Sequence, residues 1–160
     1  MLGLALLLAG CGLHPLYGDG ATGSVAAVLR TVQVGPIAGQ EGWLVRNKLI
    51  DRLGETGSAD AIYRLDVTLS DDITAFGIRS DRAATRERRT LRARYQLVNL
   101  STGLVVLDAT AGSDAGVDIV SSEYATVAAE QTALENLADV VADQIASRIG
   151  LFAARTGAAK

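Results

Sequence analysis

The chain is poor in the side chains on which most protein chemistry depends. It has one cysteine, Cys11, and one histidine, His14, in 160 residues. That all but excludes a zinc site built from Cys and His, and likewise Cys–His nucleophilic catalysis. A lone cysteine also leaves no internal disulfide. Aromatic residues make up 4% although hydrophobic residues reach 49%, so the apolar content is mainly Ala, Val, Leu and Ile. That composition suits helices packing on a sheet. Beyond the first residues, no stretch has the ~18–20 continuous apolar residues of a membrane-spanning helix. A net charge of −3 disfavours nucleic acid as a bulk partner. The length suggests one domain with a real core.

What the chain does have begins at its N-terminus. Leu2 to Ala9 is apolar apart from Gly3, and small residues then lead to Cys11. The run is too short to span a bilayer but long enough for the apolar core of a secretory signal. Leu8-Ala9-Gly10-Cys11 resembles a bacterial lipobox, in which the cysteine is acylated and becomes the first mature residue. Residues 1–10 are accordingly read as a cleaved signal peptide and Cys11 as the lipidation site. A buried apolar strand with a structural thiol is the competing reading. No Lys or Arg precedes the apolar run, unlike a usual signal, so a start upstream of Met1 is expected. Gly12 stands where inner-membrane lipoproteins commonly carry Asp, which favours the outer membrane. Acyl chains contribute about 0.8 kcal/mol per buried methylene, and two or more anchor stably.

Residues 11–28 are expected to form a flexible tether, 29–153 a single α+β domain and 154–160 a frayed tail. Leu29 to Ile37 alternates and is β-branched, a first strand ending at Pro36. Val45, Leu49 and Leu53 recur every fourth residue from Gln40 to Leu53, which predicts a helix closed by Gly54 or Gly57. Ile62 to Ile78 has period two: Tyr63, Leu65, Val67, Leu69, Ile73 and Ala75 share one face. At roughly 3.3 Å per residue this run could reach about 55 Å, so a bend or break is expected near Asp71-Asp72. Leu91, Ala93, Tyr95 and Leu97 define the apolar face of the next strand, and Leu104 to Ala111 another. From Ser121 to Phe152, Val127, Leu134, Ala138, Val141, Ile145, Ile149 and Phe152 form one helical stripe. Asp118, Ser121 and Ser122 are candidate caps. The expected fold class is a β-α-β-β-β-α two-layer sandwich. Two helices cover one face of a four-stranded, mostly antiparallel sheet, and the other face is wet.

These elements behind a lipobox resemble the LPS-assembly lipoprotein family, LptE. Cys11-Gly12-Leu13-His14-Pro15-Leu16-Tyr17-Gly18 is similar to the family's post-cysteine signature, with Leu13 where Phe is usual. Leu44 to Leu49 resembles its first-helix pattern, and Arg88 to Leu97 its basic third strand. Tyr124-Ala125 through Ala133 resembles the opening of its last helix. The resemblance implies a non-enzymatic outer-membrane lipoprotein on the periplasmic side of a Gram-negative envelope. Such a protein plugs and helps assemble the β-barrel LPS translocon LptD and binds lipopolysaccharide during export. It implies no cofactor. The alternative is an auxiliary lipoprotein of another, ABC-type lipid-transport system.

Arg79, Arg82, Arg86, Arg88, Arg89, Arg92 and Arg94 fall close together, against only Asp81 and Glu87. Arg86, Arg88, Arg92 and Arg94 share strand parity and are expected to form a row on the wet face. Guanidinium forks bind phosphates bidentately, so the row is a candidate contact for lipopolysaccharide phosphates. Two other readings stay open: docking on an acidic barrel lumen, or exposed cross-strand pairing with Asp66 and Asp72. Nucleic acid is not expected, since no aromatic platform accompanies the arginines. Trp43 is read as a core anchor in preference to an interface residue, Tyr63 and Tyr95 as core, and His14 as a tether residue. No residue is assigned a catalytic or metal-binding role.

Overall fold

The alternation of apolar and polar residues along three successive strands decides the architecture, because it gives one sheet two unlike faces. The computed structural model describes residues 23–54, 60–78 and 84–157. Their elements are α1 (Ser24–Arg30), β1 (Val32–Val34), α2 (Gly39–Leu53), β2 (Tyr63–Ile78), β3 (Ala84–Asn99), β4 (Val105–Asp118) and α3 (Glu123–Gly157). The sheet order is β1-β2-β3-β4. Strand β1 runs parallel to β2, and the other pairs are antiparallel. The expected α+β sandwich, with a mostly antiparallel four-stranded sheet, is what the chain forms. No helix among the described residues is long and apolar enough to cross a membrane.

The core lies between the helices and the odd-numbered face of the sheet. Leu65, Leu91, Ala93, Tyr95 and Leu97 are buried there, facing Leu134, Leu137, Ala138, Val141, Ala142, Ile145 and Ile149 of α3. Ala138 and Ala142 are both fully buried, and their small size lets α3 approach the strands closely. Val45, Leu49 and Leu53 complete the core from α2, at the predicted fourfold spacing. Gly54 ends that helix in the left-handed region, at φ 67°, where glycine is strain-free. The rings of Tyr63 and Phe152 meet at right angles, centroids 5.8 Å apart. Lys48 and Arg52 bind Asp139 at 2.7 and 3.0 Å, and Arg52 also binds Asp143, which ties α2 to α3. Lys48 first, and then Arg52, hold the Asp139 carboxyl below the usual carboxylate range.

Four local expectations are corrected. Helix α1 occupies Ser24–Arg30, where a tether and the start of a strand were expected. Val25 and Leu29, one helical turn apart, pack it on the core, and only Val32–Val34 of the predicted first strand pairs. Strand β2 does not break at Asp71-Asp72 but pairs from Tyr63 to Ile78. Strand β4 continues past Ala111 to Asp118, so Asp118 is a strand residue, and Ser122 Oγ accepts from the Ala125 amide instead. Helix α3 runs on to Gly157 with Ala153 buried, and Val127 lies exposed off the stripe.

The outer edge of β4 is closed by one side chain. Gln144 accepts from the Gly112 amide at 3.0 Å and donates to the Gly112 carbonyl at 3.3 Å. It mimics one rung of a fifth strand, which blunts the edge against pairing.

Replacing Ile145 with Ala should lower stability by about 2–5 kcal/mol, since the fully packed site cannot collapse around the cavity. Urea unfolding followed by circular dichroism measures this.

Candidate functional site: the uncovered face of the sheet

No described helix lies over the even-numbered face of β2, β3 and β4. Arg86, Arg88, Arg92 and Arg94 all project from it, as parity requires. The β2 residues opposite them are Phe76, Thr74, Ser70 and Thr68. Pairing with Asp66 and Asp72 is thus corrected: Asp66 is held by Arg64 at 2.8 Å, and Asp72 accepts from Ser70 at 2.7 Å. The acids that meet the row come from β4. Arg86 binds Asp118 at 2.7 Å, Arg94 binds Asp108 at 3.1 Å, and Arg88 approaches Asp114 at 4.0 Å. Those three arginine side chains are 57, 70 and 60% exposed, so solvent screens each pair and leaves it weak. Gln96, and then Arg94, hold the Asp108 carboxyl below its ordinary value. The Arg88 guanidinium also sits 5.5 Å from the Phe76 ring centroid.

Arg92 differs from its neighbours. Among the described residues it meets no carboxylate within ion-pair distance. Its side chain lies over Gly112, where an added Cβ would fall 2.5 Å from Arg92 Cδ. A missing side chain on β4 therefore makes room for it. Arg92, Arg94, Thr68, Ser70, Thr110 and Gly112 border an open depression of about 570 Å³ that reaches the β4 edge at Gln144. This is a shallow cup whose lining mixes the Thr68, Ser70 and Thr110 hydroxyl side chains with apolar surface, beside a guanidinium that meets no carboxylate among the described residues. The acidic and glycine positions of β4 were missed in the sequence. Their signal was the period two of Asp108, Thr110, Gly112, Asp114, Gly116 and Asp118.

Other residues of the basic cluster divide. Arg79, Arg82 and the predicted lipidation site Cys11 lie outside the described residues, as do His14 and residues 1–10. Arg89 has the opposite parity and turns to the helix side. It binds Asp71 through two nitrogens, at 2.9 and 2.5 Å, and donates to the Glu130 carbonyl at 2.8 Å. Arg89 and Asp71 are only 13 and 15% exposed. This pair satisfies Asp71 on the covered face, and so β2 passes through without a break. Trp43, expected in the core, is 63% exposed on α2. Tyr95 is buried and Tyr63 half-buried, as predicted.

Beside Arg89, Glu87 faces Glu130 across the β3–α3 contact, and among the described residues its Oε2 is buried without a hydrogen-bond partner. Burial first, and then the Glu130 carboxyl, push the Glu87 carboxyl above its usual range. The pair adds strain to the sheet–helix contact once both groups ionise.

A two-layer α+β domain of this fold is already seen in solved lipoproteins. A protein from Caulobacter crescentus CB15, described as a lipoprotein, superposes with a TM-score of 0.66 at 24% identity, over 81% of this chain and 96% of that one. A minor lipoprotein from Acinetobacter baumannii gives 0.62 at 14%, over 76% and 92%. Rare lipoprotein B from Shewanella oneidensis gives 0.55 at 12%, over 79% and 96%. At these identities the likeness is one of fold. No curated protein matches the sequence. The family model "LptE: Lipopolysaccharide-assembly" matches residues 29–149. The chain belongs to the LptE family, and its role lies in lipopolysaccharide assembly.

Because the folded chain holds its proton on Glu87 more tightly than the unfolded chain, this group costs stability as pH rises through the carboxylate range. Glu87→Gln should remove that cost. The variant should match the wild type near pH 4 and exceed it at pH 7, as read by unfolding midpoints across that range.

Proposed function

We propose that this protein is a lipid-anchored, non-enzymatic subunit of an outer-membrane lipopolysaccharide translocon. Acylation at Cys11 tethers it to the periplasmic side of the outer membrane, and its domain seats in and helps assemble the β-barrel protein LptD. Lipopolysaccharide phosphates contact Arg86, Arg88, Arg92 and Arg94 during export. The observation that carries the reading is the uncovered arginine row, with Arg92 unmatched above Gly112. Membership of the LptE family supports the pathway, and the names of the similar structures support the lipoprotein character.

The chemistry of the row fits this role. An exposed guanidinium–carboxylate pair is weak, so a phosphate dianion can displace Asp108, Asp114 or Asp118 at small cost. Arg92 meets a phosphate without giving up a carboxylate of the described residues. The glycines opposite Arg92 and Arg88 keep the surface open to a bulky headgroup. No covalent step is required, and the functional groups of the face bind without transferring anything.

Arg92→Ala combined with Arg94→Ala should weaken lipopolysaccharide binding about tenfold or more, the loss of one to two charge-assisted contacts. The unfolding midpoint should stay unchanged. Unchanged binding by the folded double variant would assign the row to barrel docking or to a solvated face. A tagged chain expressed in the envelope should co-purify with a large β-barrel protein. Recovery of an ABC transporter or its substrate-binding subunits instead would favour the other lipid-transport system.

A further inference from the structure

A second surface lies at the opposite edge of the sheet, away from the arginine row. Strand β1 ends at Val34, and the chain then passes through Gly35, Pro36 and Ile37 before entering α2. The Gly35 amide donates to the Leu65 carbonyl at 2.9 Å, which holds this segment beside β2. Gly42 brings it down onto the helix: a Cβ there would lie 2.6 Å from the Ile37 carbonyl oxygen. The result is a built groove of about 430 Å³, floored by Val34, Pro36 and Ile37 and walled by Trp43, Arg46 and Arg64.

Two of these side chains are out of keeping with a plain surface. Trp43 is the chain's only tryptophan and is 63% exposed over an apolar floor. A rigid indole in such a position is the usual anchor of an interface. Arg46 is half-buried, and among the described residues its one hydrogen bond is from Nη2 to the Val34 carbonyl at 3.4 Å. It has five N–H donors, and among the described residues no carboxylate reaches it. Arg52, Arg64, Arg86, Arg89 and Arg94 each have such a partner. An underused guanidinium beside an uncovered indole is complementary to one carboxylate next to an apolar side chain.

We propose that this groove receives an extended, acidic peptide segment of a partner protein. Its carboxylate would engage Arg46 in the two-pronged geometry that a guanidinium offers, and its neighbouring apolar side chain would lie under Trp43. A peptide fits better than an anionic membrane. The groove offers one unmatched cation, and its rim carries the carboxylate of Asp66 paired with Arg64. A sheet of lipid phosphates needs many unmatched cations.

Because Trp43 is the only tryptophan, its fluorescence reports the groove directly in the full chain. The probe is the blocked peptide acetyl-Val-Asp-Val-Asp-Val-amide, compared with its Asn counterpart and with vesicles of phosphatidylcholine and phosphatidylglycerol. The Asp peptide should shift the Trp43 emission saturably, with the Asn peptide at least about tenfold weaker. Arg46→Gln should abolish the shift, and Arg46→Lys, which keeps the charge without the fork, should weaken it by about tenfold. Arg92→Ala should bind the peptide as the wild type does, which separates this groove from the arginine row. No shift with the Asp peptide, an equal shift with the Asn peptide, or a response to vesicles alone would overturn the proposal.

Discussion

Everything in this molecule depends on the seam between α3 and the odd-numbered face of β2, β3 and β4. Leu134, Ala138, Val141, Ala142, Ile145 and Ile149 form one continuous stripe, and all are buried against the strands or α2. Each buried Leu or Ile contributes about 1.5–3 kcal/mol through the area it removes from water. Because side chains alternate strictly along a strand, burying one face commits the other to solvent or to a partner. The arginine row is exposed for the same reason that Leu91, Ala93, Tyr95 and Leu97 are buried.

Charge is distributed according to that division. On the covered side, Arg89 and Asp71 meet with several hydrogen bonds and little solvent, because a charge there must be matched. On the bare side, the arginines of β3 meet the aspartates of β4 through solvent-exposed pairs that water screens. A tight ladder would bind nothing further, whereas an unpaired one would repel itself along β3. The arrangement lies between these extremes, with Arg92 above Gly112 meeting no carboxylate among the described residues, and it is the basis of the anion contact proposed for this face.

The two edges of the sheet are treated differently as well. At β4, Gln144 hydrogen-bonds both backbone groups of Gly112 and closes the edge locally. At β1, the chain turns away after three residues and Gly42 draws it against α2, which leaves a groove under Trp43. One edge is blunted, and the other is shaped.

Much of this was legible in the sequence. Period two in Tyr63 to Leu69 and Leu91 to Leu97, and the fourfold spacing of Val45, Leu49 and Leu53, are local patterns. Backbone geometry alone turns them into faces, so the sequence by itself determined the sandwich and the side on which the arginines lie. It also placed the likeness to LptE on the right chain. What depended on pairing between distant segments was settled only by the tertiary structure. Asp71 reads as a strand breaker until Arg89, eighteen residues on, arrives beside it on β3. The acids facing the arginine row come from β4 because the register sets Arg86 against Asp118, a match that spacing cannot reveal. Trp43 sits outside the core because Val45, Leu49 and Leu53 already turn α2 inward. Local periodicity is written into each segment, but register and partner choice are properties of the whole packed chain.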